Sequence, residues 1–567
     1  MYLSHTYGSN KKRYHEVDPD EVFADAVNIS KFDGDVLEGK FEKPLSKISF
    51  LIFSVGIFFI LGAFFVKAFI TQVHEGDNWS DLAKNNYLKN TPVFAYRGVI
   101  KDRNGVLLAW NDTSSATGSS LSIPARRYIN DPGFSHVLGY VSYPKKDKTG
   151  YFWQTEYIGA DGLEKQYNNR LAGQQGELIV EVSARGQIQN DNIIKPPIDG
   201  ETLNTHIDSR VQKIFFNHLK EAVDAQGFSG GVGIMMDVNN GEIIAMTSYP
   251  EYSNNIFINA STTEEKEKKA KYLTSSQKPM LNRAVSGQIV PGSTVKPFMA
   301  YAALNEGVID EFKNIYSSGQ LVIKNVYGGP DTIFKDWKAH GYTDIKKAIA
   351  ESSDEFFYQV GGGYKDQPGL GISRIERYMK MFGFASSTGV DLPGEKSGVV
   401  PSPEWKKKNF KEGDWLLGNT YHTSIGQYGF QTTPLELVRS ISILGNGGTI
   451  VTPHIVGDAK PAGKLTLDSN SLRIVRQGMR MTAEEGGTAH YFNDLPFKVA
   501  AKTGTAQLGY NNERVNSWST GYFPYENPKY AFVYVMESGP ASNTLAASKV
   551  MRAIFGDILI EAPEYTK

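Results

Sequence analysis

The stretch "VPGSTVKPFMAY", residues Val290–Tyr301, places a serine directly after a Pro-Gly turn and a lysine three residues later. Apolar residues at helical spacing continue from there to Gly307, which predicts a helix that begins near Ser293 and ends at this glycine. At a helix N-terminus, free backbone N–H groups and the positive end of the dipole favour developing negative charge. Lys296 projects from the same helical face, so its desolvated amine could serve as a base for the Ser293 hydroxyl.

The Ser-x-x-Lys spacing alone is a weak indication, because about two chance copies are expected in a chain of this length at average composition. Other copies occur here: Ser9/Lys12, Ser142/Lys145 and Ser275/Lys278. The alternative for Ser293 is a helix N-cap without a catalytic role. The sequence around the motif must therefore distinguish a catalytic serine from a helix N-cap.

Charge and cysteine content exclude several classes of protein. The 567 residues include 60 Lys+Arg and 61 Asp+Glu, a formal net charge of −1, which gives no general argument for a nucleic-acid partner. The absence of cysteine excludes disulfides, thiolate nucleophiles and Cys-ligated metal centres. It does not fix the compartment, since an exported chain can omit cysteine altogether.

The run "ISFLIFSVGIFFILGAFFV", Ile48–Val66, carries no charge and is long enough to cross a hydrocarbon core of ~30 Å as a helix. A buried core helix would show a polar face, and a cleaved signal peptide would begin nearer the N-terminus and be followed by a small-x-small site. We therefore expect a retained membrane anchor over residues 48–70, preceded by a mostly disordered polar tail over 1–47.

The lysines around this run predict its direction. Three precede it and one follows it closely: Lys40, Lys43, Lys47 and Lys67. The positive-inside rule places the N-terminus in the cytoplasm and everything after about residue 70 outside.

Residues 71–205 show short strand-like runs broken by turns, which predicts a β-rich spacer domain. "RGVIKDRNGVLLAWN", Arg97–Asn111, has β-rich segments on both sides of an Asn-Gly, as in a hairpin. "GELIVEVSARG", Gly176–Gly186, is a second strand candidate. Pro-Pro and Asp-Gly turn signals within Lys195–Asp208 mark a boundary near residue 205.

Residues 206–567 mix helices with strands. "SRVQKIFFNHLKEAVDAQG" is typical of a helix that ends at Gly227, and Gly230–Pro250 predicts two strands around an Asn-Gly turn. Near the end, "NPKYAFVYVMES" predicts a strand and "SKVMRAIFGDILIEA" a final helix. The pattern indicates an α/β (α+β) domain with a mainly antiparallel sheet flanked by helices.

Two further motifs follow Ser293 in the chain. "AIAESSDEFFYQVG" carries Ser352 and Asp354 between two helical segments, where a plain polar break between helices is the alternative. "FKVAAKTGTAQ" predicts a strand whose lysine, hydroxyls and intervening glycine suit a carboxylate ligand lying along its edge: Lys502, Thr503, Gly504 and Thr505. A second Lys-Thr-Gly at 148–150 lies in a charged loop before the serine and is interpreted as chance.

The order Ser-x-x-Lys, Ser-x-Asp, Lys-Thr-Gly resembles the signature of the penicillin-recognising acyl-serine enzymes. The stretches "TGVDLPGE", "SIGQYGFQTTPLEL" and "AAKTGTAQ" resemble the transpeptidase domain of class B penicillin-binding proteins. "RGVIKDRNGVLLA" and "GADGLEKQYNNRLAGQQGE" are similar to the pedestal of that family. The resemblance covers roughly residues 48–560, and it makes the N-cap alternative for Ser293 much weaker.

The resemblance implies a D,D-transpeptidase that cross-links peptidoglycan stem peptides outside the cytoplasmic membrane and is acylated by β-lactams. It implies that Ser293 attacks the penultimate D-Ala carbonyl, that Lys296 takes the serine proton, and that Ser352 relays protons to the leaving group. The backbone N–H groups of Ser293 and Thr505 would form the oxyanion hole. Lys502, with Thr503, Gly504 and Thr505, would bind the terminal carboxylate.

Beyond the site, the resemblance implies no metal or organic cofactor and no nucleic-acid partner. The partners it implies are stem peptides, β-lactams as inhibitors, and a polytopic glycosyltransferase of the shape–elongation–division–sporulation family together with other wall-synthesis proteins. Two alternatives stay open: another acyl-serine enzyme (a D,D-carboxypeptidase, β-lactamase or β-lactam sensor), and a catalytically silent scaffold of the wall-synthesis complex.

Two residues depart from the commonest family pattern. Asp354 stands where many relatives have Asn, which resembles the elongation-type branch, the penicillin-binding protein 2 group, and would allow an ion pair with Lys296. Tyr428 falls where the pattern "SIGQG" has glycine, so the shape of that loop is expected to differ.

Overall fold

The computed structural model describes residues 46–80, 88–112, 123–148, 152–182, 188–411 and 413–567. Most of the predicted tail and two of its lysines, Lys40 and Lys43, lie outside these ranges, as do Ser9/Lys12 and part of the second Lys-Thr-Gly. The chain divides into two compact units, 1–87 and 88–567, which are described separately.

The first unit contains helix α1 (Lys47–Phe69). Ser46 is its N-cap, because the Ser46 hydroxyl accepts a hydrogen bond from the Ser49 N–H at 3.1 Å. The helix continues as one π-helical turn, Ile70–His74. Among the described residues, this 28-residue helix is the one long and apolar enough to cross a membrane, and its most apolar 18-residue window has a mean hydropathy of 2.6. The predicted anchor is therefore confirmed as a helix of suitable length and composition.

In the second unit, residues 88–205 form the part that we call the pedestal. The predicted hairpin is present: Ile100–Lys101 and Leu107–Asp112 pair antiparallel around Gly105, which has a φ of +86°. Asp102 stabilises this turn, because its side chain accepts the Asn104 and Val106 N–H groups at 2.8 Å each. The predicted strand at Gly176 is also present, as Gly176–Val182.

The pedestal strands join into a three-stranded sheet, a four-stranded sheet and two small ribbons. Their bounds are Leu88–Val93, Ile100–Lys101, Leu107–Asp112, Ala125–Tyr128, Val141–Ser142, Lys145–Lys146, Phe152–Gln154, Ile158–Gly159, Gly176–Val182, Ile188–Lys195 and Leu203–Asn204. Three short helices accompany them: Ser135–Leu138, Gly162–Gln166 and Asn168–Leu171.

A buried ion cluster holds the pedestal together. Glu164 Oε2 lies 2.5 Å from Arg97 Nε and Glu164 Oε1 lies 2.8 Å from Arg126 Nε, and all three side chains are essentially inaccessible to solvent. Burial alone would raise the pKa of Glu164, but the two guanidinium groups lower it below its ordinary value. Arg97 lies in the loop after the strand Leu88–Val93, Arg126 lies in the strand Ala125–Tyr128 and Glu164 lies in the helix Gly162–Gln166, so the cluster fixes the relative positions of three separate segments.

The catalytic region begins with helix α2 (Ser209–Gln226), which ends as predicted at Gly227 in the left-handed conformation. Five strands then form one fully antiparallel sheet, and their bounds are β1 Gly230–Asp237, β2 Ile243–Tyr249, β3 Ala500–Leu508, β4 Arg514–Phe523 and β5 Tyr530–Pro540. The order in the sheet is β2-β1-β5-β4-β3, which leaves β3 at one edge. β3 carries the Lys-Thr-Gly motif.

Helices cover both faces of this sheet, which is why its strands are almost continuously apolar. The helices used below are α3 (Lys296–Asn305), α4 (Asp354–Gly362) and α5 (Ala547–Glu561). α2 and α5 share a core with one face, and Pro434–Asn446 packs on the other. The predicted α/β (α+β) class with a flanked antiparallel sheet is confirmed.

The remaining helices of this region are Asn254–Ile258, Thr263–Thr274, Arg283–Ser286, Ile345–Ala350, Ile372–Met381, Pro403–Asn409, Leu417–Ser424, Pro434–Asn446 and Ser469–Thr482. Its small strands are Ile315–Ser317, Gln320–Ile323, Thr332–Lys335, Gly341–Thr343, Thr449–Ile450 and Gly463–Lys464. The pedestal and this region belong to one compact unit. The division expected at residues 205 and 206 therefore stays a prediction; it falls between the strand Leu203–Asn204 and α2.

Replacing Glu164 by Gln is expected to lower the free energy of unfolding by roughly 3–5 kcal/mol, because two buried guanidinium charges lose their counter-ion. The matched control is Glu201→Gln, which breaks the exposed pair with Arg170 and is expected to cost about 1 kcal/mol or less. Chemical denaturation of both variants measures the difference. Equal losses in the two would contradict the structural role of the cluster.

Candidate active site

Ser293 lies in a single 3₁₀ turn, Gly292–Val295, that leads directly into α3. The regular α-helix thus begins at Lys296, three residues later than the predicted helix start. The capping positions are Pro291 for the turn and Val295 for α3, and neither makes a side-chain capping bond. Ser293 is therefore not an N-cap, which removes the structural alternative for this serine.

Ser352 lies between the helix Ile345–Ala350 and α4 with a φ of +57°, in the left-handed region that a serine seldom adopts. The neighbouring Ser353 caps α4, since its hydroxyl accepts the Phe356 N–H at 3.3 Å. Because Ser353 takes the capping role, Ser352 is turned instead towards the two lysines of the other motifs. Strain of this kind is frequent at functional sites.

The three motifs meet at the Ser352 hydroxyl. Lys502 Nζ lies 2.8 Å from Ser352 Oγ, and Lys296 Nζ lies 3.3 Å from the same atom. Lys296 Nζ also donates to the Ser352 carbonyl at 2.8 Å and to Asp354 Oδ1 at 2.6 Å. The ion pair between Lys296 and Asp354, expected from the sequence as a possibility, is present.

The two lysines differ in their electrostatic surroundings. Both side chains are fully buried. Burial lowers the pKa of Lys502 well below its ordinary value, the positive charge of Lys296 adds to this effect, and Asp354 opposes it. Lys296 has a direct carboxylate partner in Asp354, whereas no carboxylate of the residues that the structure describes lies at hydrogen-bond distance from Lys502.

Asp336 supports this arrangement and was not predicted from the sequence. Its Oδ2 accepts hydrogen bonds from the Ser353 hydroxyl at 2.9 Å and from the Glu355 N–H at 2.8 Å. Burial by itself would raise its pKa, but the nearby His340 ring, 3.5 Å away, the Glu355 N–H and the charge of Lys296 lower the pKa of Asp336 to about 2. No short sequence motif contains Asp336. Its role is seen only from its hydrogen bond with Ser353 in the folded chain.

The Ser293 turn packs tightly against strand β3. A Cβ on Gly504 would lie 2.7 Å from Thr294 Cγ2 and 2.8 Å from the Pro291 carbonyl, so only glycine allows this approach. Trp518 Nε1 on β4 donates to the Val290 carbonyl at 2.9 Å and ties the turn to the sheet. Thr503 Oγ1 contacts Thr488 Oγ1 at 2.6 Å, which adds a hydroxyl that the sequence did not predict.

The motifs line one cleft of about 900 Å³, with Lys296 and Lys502 buried behind its surface. Predicted residues on the lining are Ser293, Ser352, Asp354, Thr503, Gly504 and Thr505. Lining residues that the sequence did not predict include Asp336, Trp337, Tyr358, His422, Thr488 and Trp518. In the described part of the chain, no group of three or more His, Cys, Asp and Glu side chains is placed to hold a metal ion.

Comparison with known proteins identifies the family. The model described as "Penicillin binding protein transpeptidase domain" matches residues 231–559, and "Penicillin-binding Protein dimerisation domain" matches 119–205. The chain belongs to the penicillin-binding protein transpeptidase family. The predicted family is thereby confirmed.

Relatives of this penicillin-binding protein include peptidoglycan D,D-transpeptidase MrdA of Haemophilus influenzae, 32% identical, with 78% of this chain and 71% of that protein covered. MrdA of Escherichia coli is 28% identical over 90% of this chain and 94% of its own length. Peptidoglycan D,D-transpeptidase FtsI of Escherichia coli is 26% identical over 74% of this chain and 66% of its own. The greater similarity to MrdA confirms the predicted elongation-type class B branch.

Solved structures agree with this placement. Pseudomonas aeruginosa PBP2 in complex with WCK 5153 gives a TM-score of 0.65 at 28% identity, covering 82% of this chain and 96% of that one. Helicobacter pylori PBP2 in complex with MreC gives 0.68 at 26% identity, covering 84% and 100%. The predicted transpeptidase fold with its pedestal is confirmed.

Gly504→Ala is expected to slow acylation by benzylpenicillin about 100-fold, because the added methyl group displaces the Ser293 turn from β3. The control is Gly463→Ala, whose Cβ would lie 3.7 Å from its nearest neighbour, Ile450 Cδ1, in ordinary contact. Intact-mass spectrometry over time gives both rates. A Gly504→Ala protein that is acylated as fast as the control would show that the close packing is not required.

Proposed function

We propose that this chain is a membrane-anchored peptidoglycan D,D-transpeptidase that works through an acyl-serine intermediate at Ser293. The observation that supports this most is the convergence of Lys296 and Lys502 on the hydroxyl of Ser352, in the cleft that Ser293 lines. The names of the MrdA relatives support the same activity.

In the first half-reaction, the Ser293 hydroxyl attacks the carbonyl of the penultimate D-Ala of a stem peptide. The oxygen–carbon bond forms, the serine proton passes to Lys296, and the C–N bond to the terminal D-Ala breaks. The nitrogen of D-Ala leaves with a proton delivered through Ser352. In the second half-reaction, an amine of a neighbouring stem attacks the ester, and Ser293 is regenerated as the new amide forms.

The hydrogen-bonded contacts support a proton relay through Ser352. Ser352 Oγ lies within hydrogen-bond distance of both amines, so it can accept a proton from one and donate a proton to the other. Asp354 stabilises Lys296 while that residue carries the charge. The oxyanion would be held by the backbone N–H groups of Ser293 and Thr505.

The edge position of β3 supports binding of an extended peptide. A stem peptide can lie beside β3 as an added strand, with main-chain hydrogen bonds fixing its register. Its terminal carboxylate would then reach the hydroxyls of Thr503 and Thr505 and the amine of Lys502.

The proposed location rests on the membrane helix, and the proposed partners rest on the similar proteins. We propose that α1 spans the cytoplasmic membrane with the N-terminus in the cytoplasm, which leaves the catalytic region outside where peptidoglycan is found. A structure titled for the coordination of polymerization and crosslinking by a peptidoglycan synthase complex covers 90% of this chain with a TM-score of 0.70. This supports a polytopic glycosyltransferase as the partner that makes the glycan strands.

The first test is intact-mass spectrometry of the full chain in detergent after incubation with benzylpenicillin. The wild type is expected to gain one long-lived adduct on the peptide that contains Ser293, and Ser293→Ala is expected to gain none. Ser275→Ala is the matched control, because Ser275 and Lys278 repeat the Ser-x-x-Lys spacing outside the cleft. A wild type without an adduct would favour the silent scaffold, and rapid release of penicilloate would favour a hydrolase.

Ser352→Ala is expected to slow the acylation of Ser293 by about 10²- to 10⁴-fold, because the bridge between the two amines is lost. The fold should persist, since Ser353 and not Ser352 caps α4. The rate of adduct formation and the melting temperature are measured together. A loss of melting temperature in proportion to the loss of rate would indicate a structural role instead.

A further inference from the structure

A second cavity of the catalytic region lies on the other side of α4 from the catalytic cleft. Its volume is about 520 Å³, and it shares no lining residue with the cleft. Asp354 and Tyr358 line the cleft, whereas Glu355 and Gln359 line this cavity. Residues four apart lie on one face of a helix, so α4 presents one face to each space. We call this second cavity the α4 groove.

Glu355 ties α4 to the neighbouring strand within the groove. Its carboxylate accepts the Ser317 hydroxyl at 3.0 Å and the Gly319 N–H at 2.9 Å. These contacts hold the strand Ile315–Ser317 beside α4. The groove is therefore a built part of the fold, and the Glu355 carboxylate has its partners within the chain.

Gln359 is a buried polar group of the groove that has no partner. The residue is only 7% exposed and lines the groove, and its side-chain amide makes no hydrogen bond with any other residue within the described ranges. A side-chain amide carries both N–H donors and a carbonyl acceptor. Leaving such a group buried without partners costs free energy. Its place in a cavity wall indicates a ligand that both donates and accepts hydrogen bonds.

Two tyrosine rings line the groove together with Gln359: Tyr316 and Tyr364. Tyr316 is 59% exposed, and Tyr342 on the paired strand contacts its ring edge to face at 5.2 Å. Tyr364 is held by its hydroxyl, which donates to the Val322 carbonyl at 3.1 Å. These supported rings offer a ligand an apolar contact surface beside a polar amide.

The charges that line the groove balance. They belong to two lysines and two carboxylates: Lys313, Lys365, Glu355 and Asp366. A charged ligand would lose its hydration without meeting an excess of opposite charge, whereas a neutral polar ligand avoids that cost. The lining therefore favours an uncharged ligand.

The groove continues into an adjoining cavity that is also about 520 Å³ in volume. Lys313 and Gln367 line both spaces, so the two lie side by side. The lining of the adjoining cavity adds three carboxylates, those of Asp310, Glu311 and Asp468, which disfavour an anionic chain. Together the two spaces provide room for an uncharged chain of several units.

We propose that the α4 groove binds the glycan of peptidoglycan, recognised as an oligosaccharide of N-acetylated sugars. The choice of glycan rests on the proposed function, because peptidoglycan is the polymer on which that reaction acts. Sugar rings present C–H faces that pack on tyrosine rings, and their hydroxyl and acetamido groups both donate and accept hydrogen bonds, as the amide of Gln359 requires. A glycan held on one side of α4 raises the effective concentration of its stem peptides at the cleft on the other side.

The probe for this proposal is chitohexaose, a hexamer of N-acetylglucosamine. Isothermal titration calorimetry on the full chain in detergent measures its dissociation constant. Gln359→Leu is expected to weaken binding about tenfold, because the hydrogen bonds of the amide are lost. Tyr316→Ala is expected to weaken binding by a similar factor, and Tyr316→Phe, which keeps the ring, is expected to bind as the wild type does.

The matched control is Tyr327→Ala, which removes a tyrosine that is 95% exposed and lines neither the groove nor the adjoining cavity. It is expected to leave the dissociation constant unchanged. The melting temperature of each variant is measured alongside. A loss of binding in Gln359→Leu at an unchanged melting temperature separates recognition from folding.

Acylation by benzylpenicillin separates the groove from the cleft. Wild-type protein that carries the adduct is expected to bind the hexamer with unchanged affinity, because the two spaces share no lining residue. Gln359→Leu is expected to form the adduct at the wild-type rate. Loss of hexamer binding on acylation would place the sugar in the cleft and overturn the proposal.

Two further results would also overturn it. One is a wild type that does not bind the hexamer, or binds it no better than Gln359→Leu does. The other is binding of a sugar-free stem peptide, lost in Gln359→Leu, in place of the hexamer, which would make the groove a peptide site. A wild type that binds the hexamer through Gln359 but forms no adduct would support the glycan site while the acyl-serine function fails on its own.

Discussion

The catalytic site depends on one hydroxyl held between two buried amines. Ser352 Oγ lies 2.8 Å from Lys502 Nζ and 3.3 Å from Lys296 Nζ. Each of these residues comes from a different element: a loop before α4, strand β3, and the start of α3. If any of the three elements moved by about 1 Å, the contacts of Ser352 with the two amines would be lost. The packing of the catalytic region therefore maintains both distances.

Two buried cations next to each other are costly unless their charge is reduced or compensated. The structure uses both means. Asp354 pairs with Lys296 at 2.6 Å, and burial lowers the pKa of Lys502. Asp336 then fixes the loop that holds Ser352 by accepting hydrogen bonds from Ser353 and Glu355. The aspartate in place of the commoner asparagine thus has a clear physical role beside Lys296.

Three residues that line the cleft, Ser352, Tyr428 and Asn512, adopt left-handed backbone conformations. At Ser352 this conformation accompanies the contact with two amines, and at Tyr428 it accompanies ring contacts with Trp405 and Trp415.

The sequence by itself determined the local elements and the family. The membrane helix, the hairpin around Gly105, α2 with its terminal Gly227 and the strands β1 and β2 follow from apolar periodicity and turn residues, which act over a few neighbouring positions. The order of the three motifs was enough to predict the reactive residues and the transpeptidase fold.

Only the tertiary structure decided what depends on contacts between distant segments. It replaced the expected helix start at Ser293 with a 3₁₀ turn, and it gave the capping role to Ser353. It also revealed Asp336 and Thr488, which no motif marks. Ser352 lies 56 positions from Lys296 and 150 positions from Lys502 along the chain. Pairings over such separations are set by how sheet and helices pack, and local sequence patterns do not contain them.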